Sequence, residues 1–327
     1  MGTGVPVMDT AFDIFADATP DLGWPDRPRY LVSYVYVDDD QMTLAEEAGM
    51  DVIIDSGAFT VANSGGEINH DEYLDWLVGH AHRITFALSL DVIGDAKASR
   101  ANHEHGVGRV GDKVHMVPAW HLGSSLTDLA ELCRDYTLVA IGGAVPFAKY
   151  PRQLATAAGE AHRVAATHGT KLHGLGMTGT RILHTLPWYS VDSSTWGTGV
   201  RFPTMRLTND QGQIVPFEHG QPLDRVTRQL VTQYGGDPTI VGSKGWALRT
   251  ECPTAEVHAA RRRWIMTAGA RAYMHVEAYK NAHQPAHPIK VHLAGKELAE
   301  TKVVVDAHQL GNPWTTEPST TEGAAFA

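Results

Sequence analysis

The sequence predicts an α/β protein built as a (β/α)8 barrel. Three observations carry this. Short, continuous apolar runs recur through residues 30–192, each followed by a helix-length segment, at intervals of roughly 20–35 residues. Such runs read as parallel strands buried on both faces. Seven of them can be counted, and seven or eight such units favour a closed barrel over an open doubly wound sheet.

The elements follow in order. Residues 1–28, rich in Asp, Pro and Gly, read as an irregular lead-in. Tyr30–Val37 is the first strand, followed by an acidic break and a short helix through Thr43–Ala48. Val52–Ile54 leads into Asp55, and a polar loop precedes a helix over Asp71–Ala81. Ile84–Leu90 ends on Asp91, with a helix from Ala96. Val114–Ala119 ends near Trp120–His121, and Ser125 is placed to cap a helix over Leu126–Arg134. Leu138–Ile141 ends on Gly142–Gly143, and Pro151 opens a long helix to about His168. Leu172–Leu175 is followed by Gly176 and a helix over Thr180–Leu186. Trp188–Val191 then delivers Asp192. The eighth strand falls to Met205–Leu207 or Gln213–Phe217. Residues 243–282 read as mainly helical, the barrel domain as 29–300, and the Thr/Glu/Pro/Ser-rich tail from 311 to 327 as disordered.

Composition narrows the function classes. A hydrophobic content of 43% with 20% charged residues is that of a soluble globular protein. Two cysteines, Cys133 and Cys252, cannot make a disulfide framework, which points to a reducing cytoplasm. The first residues, MGTGVPVMDTAFDIFADATPD, show no basic segment before an apolar run, so no secretory signal is expected. No stretch approaches the ~18 apolar residues of a membrane span. The net charge of −10 argues against a generally basic nucleic-acid binder. Within 244–271, however, Lys244, Arg249, Arg261, Arg262, Arg263 and Arg271 face only Glu251 and Glu256.

In a barrel, active sites gather at the C-terminal ends of the strands. There stand Asp55, Asp91 and Asp192, with Ser56 beside the first, His121 after the fourth strand, Gly142 and Gly143 after the fifth, and Gly176 and Met177 after the sixth. Any one strand-end Asp reads as a turn or helix cap. Three at matching positions, with glycines between them, read as a pocket open to something flat. Carboxylates placed close together raise the proton affinity of one of them, which suits acid–base work.

These residues also carry a resemblance. IIDSGAF (53–59) is similar to the DSGGF motif of the tRNA-guanine transglycosylases. LSLDVIGD (88–95) resembles the base-recognition aspartate segment that follows it, AIGGAVP (140–146) the glycine-rich base-binding strand, and HGLGMTG (173–179) the strand and loop after that. YSVDSSTW (189–196) stands where that family places its nucleophilic aspartate. The DSGAF and SVDSSTW forms resemble more closely the phage and bacterial 7-deazaguanine DNA transglycosylases (DpdA-type). The resemblance covers roughly residues 30–200, and more faintly ARAYMHV at 270–276.

The resemblance implies guanine exchange for a 7-deazaguanine base, such as 7-cyano-7-deazaguanine, in DNA, with phage DNA as the expected polymer. Asp192 would be the nucleophile, forming a covalent sugar intermediate, and Asp55 the general acid/base. Asp91 would accept hydrogen bonds from guanine. Gly142 and Gly143 would complete base recognition with Ser56 and Gly176, and Met177 would lie against the base. His121 falls near a position where the family uses glutamine. The implied partners are DNA and the free base, with tRNA as the alternative polymer, no membrane, and a homodimer left open. The basic residues Lys244, Arg249, Arg261, Arg262 and Arg263 become backbone contacts. No cofactor is expected.

The tRNA enzymes hold structural zinc through a CxCxxC cluster and a histidine. Only Cys252 stands in the corresponding region, so a four-ligand site of that type cannot form. Zinc on Cys252 with His258, His275, His283 or His287 is a lesser alternative. GLGMTG (174–179) fits a dinucleotide fingerprint but follows the sixth strand, not the first. The HEH at 103–105 and HQPAH at 283–287 read as surface segments. Outside base exchange stand a non-catalytic nucleic-acid-binding paralogue, disfavoured by the presence of both Asp55 and Asp192, and an unrelated barrel hydrolase or aldolase.

Overall fold

The computed structural model describes residues 29–47, 51–147, 149–248 and 252–294. The described residues divide into two compact units, one drawn from 29–194 and 276–294, the other from Thr195–His275. The predicted lead-in and tail lie outside the described residues.

The first unit is the barrel. Its strands are β1 (Arg29–Ser33), β2 (Asp51–Asp55), β3 (Phe86–Leu88), β4 (Met116–Val117), β5 (Ala119–His121), β6 (Leu138–Gly142), β7 (Lys171–Gly174) and β8 (Ser190–Ser193). The second unit contributes β9 (Thr204–Thr208) and β10 (Ile214–Glu218), and the chain returns to the barrel for β11 (Lys290–Ala294). The sheet runs β4-β3-β2-β1-β11-β8-β7-β6-β5, parallel throughout. Its two ends, β4 and β5, are consecutive in the chain and separated only by Pro118. Proline has no N–H to give the ladder, so the strand is broken there. The Pro118 carbonyl still accepts from Ala140 N at 2.9 Å. Counted as one strand, β4–β5 brings the total to eight and completes the circle.

The core follows the expected pattern. Every residue of β6 is buried, as a strand covered on both faces requires. Leu31, Ile53, Phe86, Leu88, Val117, Leu138, Ala140 and Ala294 make one apolar cluster from six strands. Helix boundaries fall where the capping residues place them. Asp95 accepts from Ala98 N at 2.9 Å to start Ala96–Val110, Ser125 from Thr127 N at 3.1 Å to start Leu126–Asp135, and Pro151 is the first residue of Pro151–His168. The helix expected at 71–81 spans His70–Gly79, capped by Asn69, with a 3-10 turn at Ala81–Arg83.

The eighth strand differs from expectation. Met205–Leu207 and Gln213–Phe217 fall in or beside β9 and β10, an antiparallel hairpin with Leu207 opposite Val215. The strand that closes the barrel is β11, which pairs with both β1 and β8. Its sequence, KVHLA, places Lys290 and His292 among its apolar residues and so lacks a continuous apolar run. A hairpin half-covered on one side gives the stronger local signal.

The second unit has its own core, in which Trp246, Trp264, Tyr234, Leu230, Val231 and Ile265 are buried. Helix Ala255–His283 spans 29 residues, its first part in this unit and its last turns in the barrel unit. At Gly269 a Cβ would collide with the Trp196 carbonyl, so the backbones meet at a distance only glycine allows.

Candidate active site at the strand ends

Helix Ala96–Val110 positions one side of the site. The N-cap Asp95 and Ser99, Asn102 and His103 follow one another at helical spacing, and the last three each hold the loop after β3. Ser99 Oγ accepts from Val92 N at 2.8 Å, Asn102 Nδ2 donates to Leu90 O at 3.0 Å, and His103 Nδ1 meets Ser89 Oγ at 2.6 Å. Tyr73, fully buried, donates to Leu88 O at 2.7 Å. Asp91, expected as a strand end, therefore lies three residues beyond β3, in a loop anchored on both sides. Its Oδ2 is 3.0 Å from His121 Nε2 at the end of β5.

Asp55 is the last residue of β2. Its Oδ2 accepts from Gly57 N at 3.1 Å. Gly57 has φ 85°, and a Cβ there would stand 2.8 Å from Ser33 Oγ, so both its conformation and its surroundings demand glycine. Burial, followed by the negative charges of Asp91 and Asp192, pushes the Asp55 carboxyl from 3.8 up to about 7. Asp55 thus lies within electrostatic reach of both Asp91 and Asp192.

Asp192 belongs to β8 and is 6% exposed. Gly176 N donates to its Oδ1 at 3.1 Å. Gly176 adopts φ 67° in the turn after β7, which aims that N–H at the carboxylate. The expected ligand contact at Gly176 is therefore made by Asp192 instead. The strand β7 residue His173, absent from the expected site, is fully buried with its Nε2 3.4 Å from the same Oδ1.

Other expected positions resolve unevenly. Ser56 is fully buried, with Ala58 N 3.4 Å from its hydroxyl, so it supports the turn rather than presenting a group at the surface. A Cβ at Gly142 would lie 2.6 Å from His121 Cδ2, so the space left by this glycine holds the imidazole. Gly143, at φ 79°, packs close to the Leu122 backbone. Met177 is buried, its Cβ and the Trp188 ring filling the space beside Gly174. The glycine that opens the dinucleotide-like fingerprint thus serves packing. A cavity of about 270 Å³ adjoins His121, walled by Trp120, Arg100, Lys97, Asp128 and the 92–96 loop.

The predicted basic patch is not one surface. Arg261 is 3% exposed and donates to the Trp246 carbonyl and, at 3.4 Å, to Cys252 Sγ, with its guanidinium 5.8 Å from the Trp246 ring centre. It is a core residue, which corrects its expected role. Lys244 is exposed, Arg262 and Arg263 are half-buried, and Arg249 lies outside the described residues. Residues 195–275 nevertheless carry ten Lys/Arg against six Asp/Glu, in a chain with 27 against 37. Among the described residues no three His, Cys, Asp or Glu side chains come together as a metal-binding group. Cys252 Sγ instead donates to the Trp246 carbonyl at 3.3 Å. No helix among them is long and apolar enough to cross a membrane.

Compared with known proteins, the chain matches no protein-family model and no curated protein.

Proposed function

We propose that the barrel exchanges guanine for a 7-deazaguanine base in DNA, through a covalent bond between Asp192 and the sugar. The observation that carries this reading is the Asp55 carboxyl, held protonated by burial and by the charges of Asp91 and Asp192. Asp55 holds a proton near neutrality, with its carboxyl pushed to about 7. Asp192 accepts a backbone N–H from Gly176 at its Oδ1. An acid beside a nucleophile is what cleavage of an N-glycosidic bond requires.

In this reading an Asp192 carboxylate oxygen attacks C1′ of the nucleotide. The C1′–N9 bond breaks, and the bonding pair leaves with guanine as the Asp55 proton neutralises it. The incoming base then gives its N9 proton to Asp55 and displaces Asp192 from C1′, which restores both carboxyl groups. Asp91 accepts hydrogen bonds from the base, and its present partner His121 shares that edge. The target base must leave its stack, at a cost of about a few kcal/mol that contacts in the pocket offset. The positive balance of the second unit supplies a sequence-independent attraction for a polyanion.

The test is to incubate the protein with DNA or tRNA and labelled guanine or 7-deazaguanine, and to ask which polymer takes up label. Uptake into DNA that Asp192→Ala abolishes supports the proposal. Uptake into tRNA alone replaces the polymer, and uptake into neither leaves a binding role. A DNA–protein adduct on denaturing gels that persists in Asp192→Asn refutes the nucleophile.

A further inference from the structure

One polar group of the barrel interior lies outside the acid–base pair described above. In it, His173 and Ser190 face each other across neighbouring strands β7 and β8, paired directly in the register of the sheet. Both are fully buried. Ser190 Oγ lies 2.8 Å from His173 Nδ1. The other ring nitrogen, Nε2, is 3.4 Å from Asp192 Oδ1, a close approach outside hydrogen-bond geometry, and has no hydrogen-bond partner among the described residues. A separation of 3.4 Å is long for a settled hydrogen bond, and catalytic contacts of this kind tighten when the reacting complex forms.

A neutral imidazole donates from one nitrogen and accepts at the other. A serine hydroxyl can serve either, but a carboxylate only accepts. The arrangement in which every group is satisfied has Ser190 donating to Nδ1 and Nε2–H directed at Asp192. Gly176 N–H already approaches the same oxygen. Two donors then converge on Oδ1, while Oδ2 has no hydrogen-bond partner among the described residues.

Resting on the base-exchange reading, we propose that Ser190 and His173 are positioning residues that fix the rotation of the Asp192 carboxylate and select Oδ2 as the attacking oxygen. Ser190 sets the imidazole tautomer, and His173 Nε2–H and Gly176 N–H hold Oδ1. The bond to C1′ forms at Oδ2, and no proton moves through His173 during the step. The device is buried under the site, so it acts without touching substrate. This is the role of a group that pre-organises a nucleophile from behind.

Two measurements test it. The first needs no activity. In the full chain labelled with ¹⁵N-histidine, long-range ¹H–¹⁵N correlation spectra read the tautomer of His173, assigned by its loss in His173→Gln. The expected state at neutral pH is the Nε2–H tautomer, shifting toward a mixture in Ser190→Ala. An Nδ1–H tautomer in the wild type overturns the proposal, since a lone pair would then face the carboxylate.

The second is kinetic. The amide of His173→Gln can place an N–H near the position of Nε2, so this variant is expected to keep kcat within about threefold. His173→Leu is expected to lower kcat by about 10- to 100-fold with KM little changed, the loss of one hydrogen bond to a charged group. Equal losses in Gln and Leu, with thermal unfolding unchanged, would show that the donor is irrelevant and overturn the assignment. If the wild type exchanges no base at all, the base-exchange reading fails, while the tautomer measurement still decides whether the carboxylate is held in this way.

Discussion

Replacing Asp55 with asparagine removes a buried titration and leaves the shape of the residue nearly unchanged, which makes its consequence for pH calculable. In the folded protein the carboxyl is raised from 3.8 to about 7, so between these values the native state binds a proton that the unfolded chain has released. Stability then falls as pH rises through this window. The favourable contribution is fully present below pH 3.8 and is lost once pH passes about 7. At about 1.4 kcal/mol per pH unit the full swing has a ceiling of ~4 kcal/mol. Asp55 keeps some solvent access, which screens part of this and brings the expected swing to roughly 2–4 kcal/mol. Asp55→Asn should therefore gain stability relative to the wild type as pH rises from 5 to 8. Because Asp91 and Asp192 are common to both proteins, the difference isolates the one group and its coupling. The assay pairs thermal unfolding of the two proteins across that pH range with a ¹³C titration of aspartate carboxyl signals, in which the Asp55 resonance is the one missing from the variant. A constant difference in unfolding temperature across the range, or an Asp55 carboxyl titrating below 5, would refute the electrostatic account of the site.

Three further outcomes are expected. Gly57→Ala combines a φ of 85° with a Cβ 2.8 Å from Ser33 Oγ, and should cost about 2 kcal/mol or more while displacing the N–H that Asp55 accepts; thermal unfolding and the Asp55 titration report the two effects. Gly269→Ala drives a methyl group into the Trp196 carbonyl and should cost about 3 kcal/mol or more, read as early loss of near-ultraviolet dichroism from the tryptophans of the second unit. Lys244→Ala should leave thermal unfolding unchanged but reduce the salt dependence of DNA affinity by about one ion, whereas Arg261→Ala should lower the unfolding temperature, since it leaves the Trp246 carbonyl and Cys252 short of a donor. Fluorescence anisotropy at several salt concentrations separates these last two.

Much of the barrel was legible because its strands obey one rule. Leu138–Gly142 is buried at every position, and a continuous apolar run is the direct sequence image of that environment. Asp95, Ser125 and Pro151 marked helix starts because a cap depends on local chemistry alone. β11 was not legible, since Lys290 and His292 enter a strand whose other face alone is uniformly apolar. In the site, Asp55 and His121 stood at strand ends as expected, and Gly142 did too. His173 was missed although it lies inside a quoted motif. Its two-residue spacing from Leu175, a residue packed against the interior cluster, was the available signal. Arg261 was misread for a different reason. Three consecutive arginines on a helix point about 100° apart, so they cannot all share one face. Val257, Arg261 and Ile265 are all buried, and the i, i+4 spacing places Arg261 in line with these two apolar neighbours.

The late return of β11 also bears on how the chain is made. β8 ends at Ser193 and β11 begins at Lys290, yet the two are neighbours, and β11 is also the strand that covers β1. During synthesis the first seven strands emerge well before the eighth. Until residues 290–294 leave the ribosome, β1 and β8 each present an uncovered edge, the kind of surface on which chains pair wrongly with one another. The intervening Thr195–His275 unit has its own tryptophan-rich core. A nascent chain can therefore complete that unit while the barrel waits, open on one side, for its last strand.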